Sequence, residues 1–139
     1  MITYLDSSVI LRIVLGQPKV LKDWRTISRA VASALVEVEC LRTLDRLRLQ
    51  ERISDEELSI RRESVYRFLE SIELVEISRA ILLRAGNPLG TPLGTLDAIH
   101  LVTALQWKEQ VGLDLVLATH DDALALAARS HGLKTVGAA

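Results

Sequence analysis

Apolar residues along this chain fall into two kinds of run. The short runs are ITYL at 2–5, AVAS at 30–33, LVEI at 74–77, LVLA at 115–118 and KTV at 134–136. They are too short for helices and are bounded by polar residues, so they predict buried β-strands. Between them lie longer segments of helical period. Residues 34–49 place Leu35, Val38, Leu41, Leu44 and Leu47 along one side. Residues 54–71 open with Ser54 and carry Glu57 three positions later, a capping box. Segments 18–28, 95–110 and 121–131 also read as helices, with Gly132 placed to end the last of them. A further helix follows the first strand. The breaker-rich stretch GNPLGTPLG, 86–94, reads as a loop.

Short buried strands alternating with helices predict an α/β fold in one domain spanning residues 1–139. Its centre is a parallel sheet of about five strands with helices on both faces. Crossovers in such a sheet are right-handed, and ligands bind beyond the carboxyl ends of the strands. The residues just past each strand are therefore the ones to read for chemistry.

Composition narrows the class. Of 139 residues 49% are hydrophobic, enough for a substantial core, and the formal net charge is −1, unlike a histone-like basic protein. The single cysteine, Cys40, allows no intrachain disulfide, reads as a small buried hydrophobe and fits a reducing compartment. No apolar segment reaches the roughly 20 residues needed to span a bilayer. Asp6 interrupts the N-terminal apolar run at once, so no secretory signal is expected. The expectation is a cytoplasmic protein with no membrane association.

Acids follow the strands. Asp6 comes directly after ITYL, and Glu37 and Glu39 lie on the helix after AVAS. Asp121 and Asp122 follow LVLA through Thr119 and His120, and Asp97 stands in the first turn of an otherwise apolar helix, with Thr95 placed to cap it. Each alone has an ordinary explanation as a cap or as a partner of the helix dipole. Together they do not. Two carboxylates about 4 Å apart repel by about 4 kcal/mol at an effective dielectric of about 20. A cluster of them requires raised pKa values or a divalent cation. All-oxygen donors suit Mg²⁺ or Mn²⁺ better than zinc.

Other motifs carry less. His100 lies one turn after Asp97 and reads either as a neighbour of the acids or as a histidine bonded locally. His131 sits at a helix end, where positive charge is welcome. No His/Cys spacing suggests zinc, and the Gly-rich loop lacks the lysine of a phosphate loop. Ser7, Ser8 and Thr119 could orient water or phosphate, or could simply cap.

The motifs YLDSSVIL, ASALVEVECLR (32–42), GTLDAIHLVTAL (94–105) and LATHDDALALAARSHGLKTV (117–136) occur in this order across nearly the whole chain. In them the sequence resembles the PIN-domain ribonucleases, specifically the VapC-type toxins of toxin–antitoxin pairs. The resemblance implies a PIN-like fold and an acidic quartet of Asp6, Glu39, Asp97 and Asp121 serving both catalysis and metal binding. It implies one or two Mg²⁺ (or Mn²⁺) ions, endonucleolytic cleavage of RNA and a cognate antitoxin, together with a homodimer. Glu37 competes with Glu39; two residues apart on a helix they point about 200° apart, so only one can face the site. Asp122 competes with Asp121. Arg12, Arg42 and Thr119 are the candidate substrate contacts, with Arg46 on the same side as Glu39 and Arg42. Aromatic residues make up only 4% of the chain, so little base stacking on the protein is expected. Val20, Leu21, Trp24, Leu58, Val65, Phe68 and Leu69 read as core or as a groove for a partner. Two rivals remain: a PIN-like interaction module with little catalysis, and a Mg²⁺-dependent phosphatase or receiver-like domain. The second wants a lysine after a late strand, whereas Lys134 precedes one.

Overall fold

In the computed structural model, which describes residues 1–17 and 26–138, every expected strand is present. The element order is β1 (Ile2–Leu5), α1 (Ser7–Val14), β2 (Arg29–Ser33), α2 (Leu35–Leu49), α3 (Asp55–Glu70), β3 (Glu73–Val75), α4 (Arg79–Ala85), α5 (Thr95–Val111), β4 (Val116–Ala118), α6 (Asp122–Ser130) and β5 (Lys134–Val136). The strands form one sheet in the order β3-β2-β1-β4-β5. All neighbouring pairs are parallel, with Tyr4 opposite Val31 on one side and Leu117 on the other.

The two-residue period of the strands divides the core. Tyr4, Val31 and Leu117 point to one face, where they pack with Leu101 and Ala104 of α5 and Leu124 and Ala128 of α6. Leu5, Ala32 and Ala118 point to the other, against Val9 and Ile10 of α1, Val36, Cys40 and Leu44 of α2, and Val65 and Leu69 of α3. Both faces are covered, which is why the strands read as continuous apolar runs. A third cluster joins α4 to α5 through Ile81, Ile99 and Val102.

Local signals set the helix ends. Ser54 caps α3 by accepting from the Glu57 amide at 3.0 Å. Gly132, at φ +83°, follows α6, and the Leu133 amide closes on the Ala128 carbonyl at 3.0 Å. The chain order reverses at β1: β2 and β3 lie to one side, β4 and β5 to the other. This switch point opens a crevice beyond the carboxyl ends of β1 and β4.

Four expectations change. Thr95 is the first residue of α5, not its cap; Gly94 takes the N-cap position without a side-chain hydrogen bond. The third strand ends at Val75, because Ser78 begins α4 by accepting from the Ile81 amide at 3.2 Å. That helix escapes a periodicity reading because it is short and exposes Leu82 and Leu83 while burying Ile81. Val65 and Leu69 belong to the core, and Leu58 and Phe68 pack against it while half-buried. Of the helix expected over 18–28, residues 18–25, including Val20, Leu21 and Trp24, lie outside the described residues, and 26–28 are not α-helical.

Leu101, fully buried at the centre of α5, tests the packing. Leu101→Ala should lower unfolding free energy by about 2–5 kcal/mol, measured by urea denaturation with unchanged slope. A loss under about 1 kcal/mol would contradict a tightly packed α5–sheet interface.

Candidate active site

Asp6 leaves β1 at the switch point, and its amide donates to the Ala118 carbonyl of β4 at 3.2 Å. Its side chain is only 4% exposed. Oδ1 accepts from the Ser8 hydroxyl at 2.6 Å and from the Val9 amide at 3.3 Å, which caps α1. Oδ2 accepts from the Thr119 hydroxyl at 2.5 Å. The ordinary reading of Asp6 as a cap therefore holds, and the capping itself fixes the carboxylate at the crevice. Asp121 is built the same way: it caps α6 through the Leu124 amide at 2.9 Å, and its own amide donates to Thr119 Oγ1 at 3.0 Å.

Thr119 is wholly buried, with its hydroxyl donating to Asp6 and accepting from Asp121. This corrects its expected role as a substrate contact: the side chain ties the two acids together and has no surface to offer RNA. Ser8 does likewise, bonding Asp6 and accepting from the His120 amide at 3.0 Å.

Asp97 and Glu39 approach from opposite faces of the sheet. Asp97 is half-buried in the first turn of α5. Burial raises its carboxyl above the ordinary range, and the charges of Asp121, Asp6 and Glu39 add to the rise while His100 opposes it. The charges of the other three expected acids thus reach Asp97 at one end of the sheet. Of each ambiguous pair, Glu39 and Asp121 are the members whose charges add to the rise at Asp97; Glu37 is exposed and Glu39 half-buried, whereas Asp121 and Asp122 are both exposed and burial does not separate them. Cys40 senses the same cluster: burial first, then Glu39 and Asp6, push its thiol up to about 12, consistent with an inert core residue.

His100 is 1% exposed and bonded on both sides, Nε2 to Glu39 Oε1 at 2.6 Å and Nδ1 to the Tyr4 hydroxyl at 2.7 Å. Of its two readings, the neighbour of the acids is the one that holds: both hydrogen bonds are long-range in the chain, and one is to an acid of the cluster. Tyr4 was not singled out in the sequence. The available signal was its hydroxyl: in a buried strand it needs a partner.

Among the described residues, no group of three His, Cys, Asp and Glu side chains is arranged to hold one ion directly. The acids share a field and not a single ligating point. Magnesium ordinarily takes one or two carboxylates and keeps several waters. A donor set of carboxylates only, with one carboxyl raised by its neighbours, fits such an ion bridged in part by water.

Arg42, half its partnership taken by Asp45 at 2.9 Å, remains largely exposed. With Ser7, Val38, Glu39, Arg46 and Leu96 it lines a groove of about 450 Å³ beside the acids. Arg12 sits in the last turn of α1, roughly 9 Å along the axis from Asp6. Lys134 opens β5 and so stands at the opposite, amino-terminal edge of the parallel sheet, away from where a phosphatase or receiver would need it. His131 bonds the Leu89 carbonyl at 2.8 Å and anchors the 86–94 loop. No helix among the described residues is long and apolar enough to cross a membrane.

Comparison with known proteins agrees with this geometry. The PIN domain family model matches residues 3–130. The chain is 34% identical over 137 residues to ribonuclease VapC46 of Mycobacterium tuberculosis, covering 96% of this chain and 95% of that protein. Its fold is similar to VapBC2 from Rickettsia felis bound to a DNA fragment from their promoter, with TM-score 0.68, 14% identity and 97% of each chain covered. It is also similar to VapBC-1 from nontypeable Haemophilus influenzae, with TM-score 0.64, 22% identity and coverage of 97% and 96%. The PIN domain match over residues 3–130 and the 34% identity along nearly the whole chain make this protein a VapC-type member of the PIN domain family.

Proposed function

We propose that this chain is a divalent-metal-dependent endoribonuclease, the toxin of a toxin–antitoxin pair, acting in the cytoplasm. One observation supports the reading: Asp97 is raised first by burial and then by the charges of Asp121, Asp6 and Glu39, acids drawn from three other segments to the carboxyl edge of the sheet. The 34% identity to ribonuclease VapC46 supports the substrate class, and the likeness to VapBC assemblies supports an antitoxin partner.

Asp6 and Asp97 would hold one or two Mg²⁺ or Mn²⁺ ions, with Glu39 and Asp121 engaged directly or through water. Such an ion, when bound, polarises phosphoryl oxygens and lowers the pKa of water. The chain's own residues do the positioning. Thr119 and Ser8 hold Asp6, the Leu124 amide holds Asp121, and α5 brings Asp97 to the scissile phosphate. Water attacks phosphorus in line, and the 3′ oxygen leaves and takes up a proton. Arg42 and Arg46 line the groove beside Glu39, where they give the RNA backbone cations to follow; Arg12 extends this charge along α1. An antitoxin segment lying in the same groove would cover the acids. Self-association into a homodimer belongs to the same proposal.

A PIN-fold interaction module without catalysis is the second reading.

Asn keeps a helix cap intact, so Asp6→Asn tests the chemistry apart from the fold. Asp6→Asn and Asp97→Asn should each lower RNA cleavage at saturating Mg²⁺ by about 100-fold or more, roughly 3 kcal/mol of transition-state stabilisation, with unchanged circular dichroism. Near-native rates in both variants would remove the acidic-quartet mechanism. In a substrate panel, single-stranded RNA should be cut with Mg²⁺ and spared with chelator, while a phosphomonoester stays intact in both. RNA left whole under every condition would favour the interaction module.

The raised Asp97 carboxyl also makes a stability prediction. A carboxyl whose pKa is higher folded than unfolded stabilises the fold when protonated, and that stabilisation is lost as pH rises through the folded value. Metal-free Asp97→Asn should therefore melt at a higher temperature than the parent at pH 7, with a shrinking difference toward pH 4 and on adding Mg²⁺. A variant that melts lower than the parent at pH 7 would contradict the repulsion.

A further inference from the structure

We propose that His100 is a positioning residue that fixes Glu39 for the divalent cation, and that Tyr4 sets the orientation of its ring. The inference rests on the metal-dependent reading above and adds two residues to it.

Glu39 is a long, flexible side chain on α2, which packs on one face of the sheet, while His100 belongs to α5 on the other. The 2.6 Å contact between Nε2 and Oε1 bridges the two layers across the strand ends. A carboxylate only accepts, so Nε2 must carry a proton. With Oε1 held by that N–H, Oε2 is left for the cation. A histidine that ties a ligating carboxylate in this way restricts its rotamer and its direction of approach.

The ring is itself anchored. Tyr4 is fully buried in β1, its hydroxyl lies 2.7 Å from Nδ1, and the two rings meet edge to face at 5.9 Å and 71°. A phenol keeps its proton at neutral pH and can donate to Nδ1. Tyr4 is two residues from Asp6 and His100 is three from Asp97. The relay therefore links Glu39 to the very elements that carry two other acids, which makes the spacing of three of the four depend on one buried hydrogen-bonded path.

A purely structural histidine would affect folding and leave metal affinity alone. The test is calorimetric titration with Mn²⁺ of the parent, His100→Leu, His100→Gln and Tyr4→Phe, alongside metal-free melting curves. His100→Leu should weaken Mn²⁺ binding by about 10- to 100-fold. His100→Gln, whose amide can donate where Nε2 did, should restore most of it, and Tyr4→Phe should cost several-fold. Native affinity in His100→Leu, or equal weakening in the Leu and Gln variants, overturns the inference. If His100→Leu does not fold, Tyr4→Phe decides: unchanged Mn²⁺ affinity there overturns it. A parent protein that binds no Mn²⁺ sinks the metal reading and this inference together, whereas a parent that binds with an indifferent His100→Leu sinks this inference alone.

Discussion

The arrangement of this protein turns on the repulsion among carboxylates at the carboxyl edge of its sheet. Like charges in a half-buried crevice are costly, and at Asp97 burial first, then the neighbouring carboxylates, raise the carboxyl. The fold counters the repulsion with directed hydrogen bonds. Thr119 and Ser8 grip Asp6, a helix amide grips Asp121, and His100 grips Glu39. Each restraint comes from a different element, so the cluster exists only when the sheet and both helical layers are assembled.

The same bonds serve the fold and the site. Asp6 and Asp121 terminate helices in the way that any capping aspartate would. Capping already provides what the proposed chemistry needs: a carboxylate held at a strand end. Thr119 gains its importance from its place between the two caps. Its side chain reaches no solvent, yet it sets the separation of two acids that lie 115 positions apart in the chain, Asp6 and Asp121.

Much of this was legible in the sequence. Strand runs of two-sided burial and helices of regular period specify a covered parallel sheet, and acids placed after strands mark its working edge. Glu39 could be separated from Glu37 only once α2 was oriented against the sheet, because a helix presents both until its buried face is known. The α4 helix was hidden because its apolar residues include exposed leucines, so its period is blurred. The link between Tyr4 and His100 was hidden for another reason. Their pairing spans 96 positions, and no local pattern signals a hydrogen bond between a strand and a helix that meet only after folding.

The central claim is that acids from four segments gather around one or two hard cations, and anomalous diffraction from Mn²⁺-soaked crystals tests it most directly. The account predicts a peak in the crevice beyond β1 and β4, coordinated by Asp6 and Asp97 and flanked by Glu39 and Asp121. An empty crevice at saturating Mn²⁺, or a peak bound to acids elsewhere on the molecule, would contradict it.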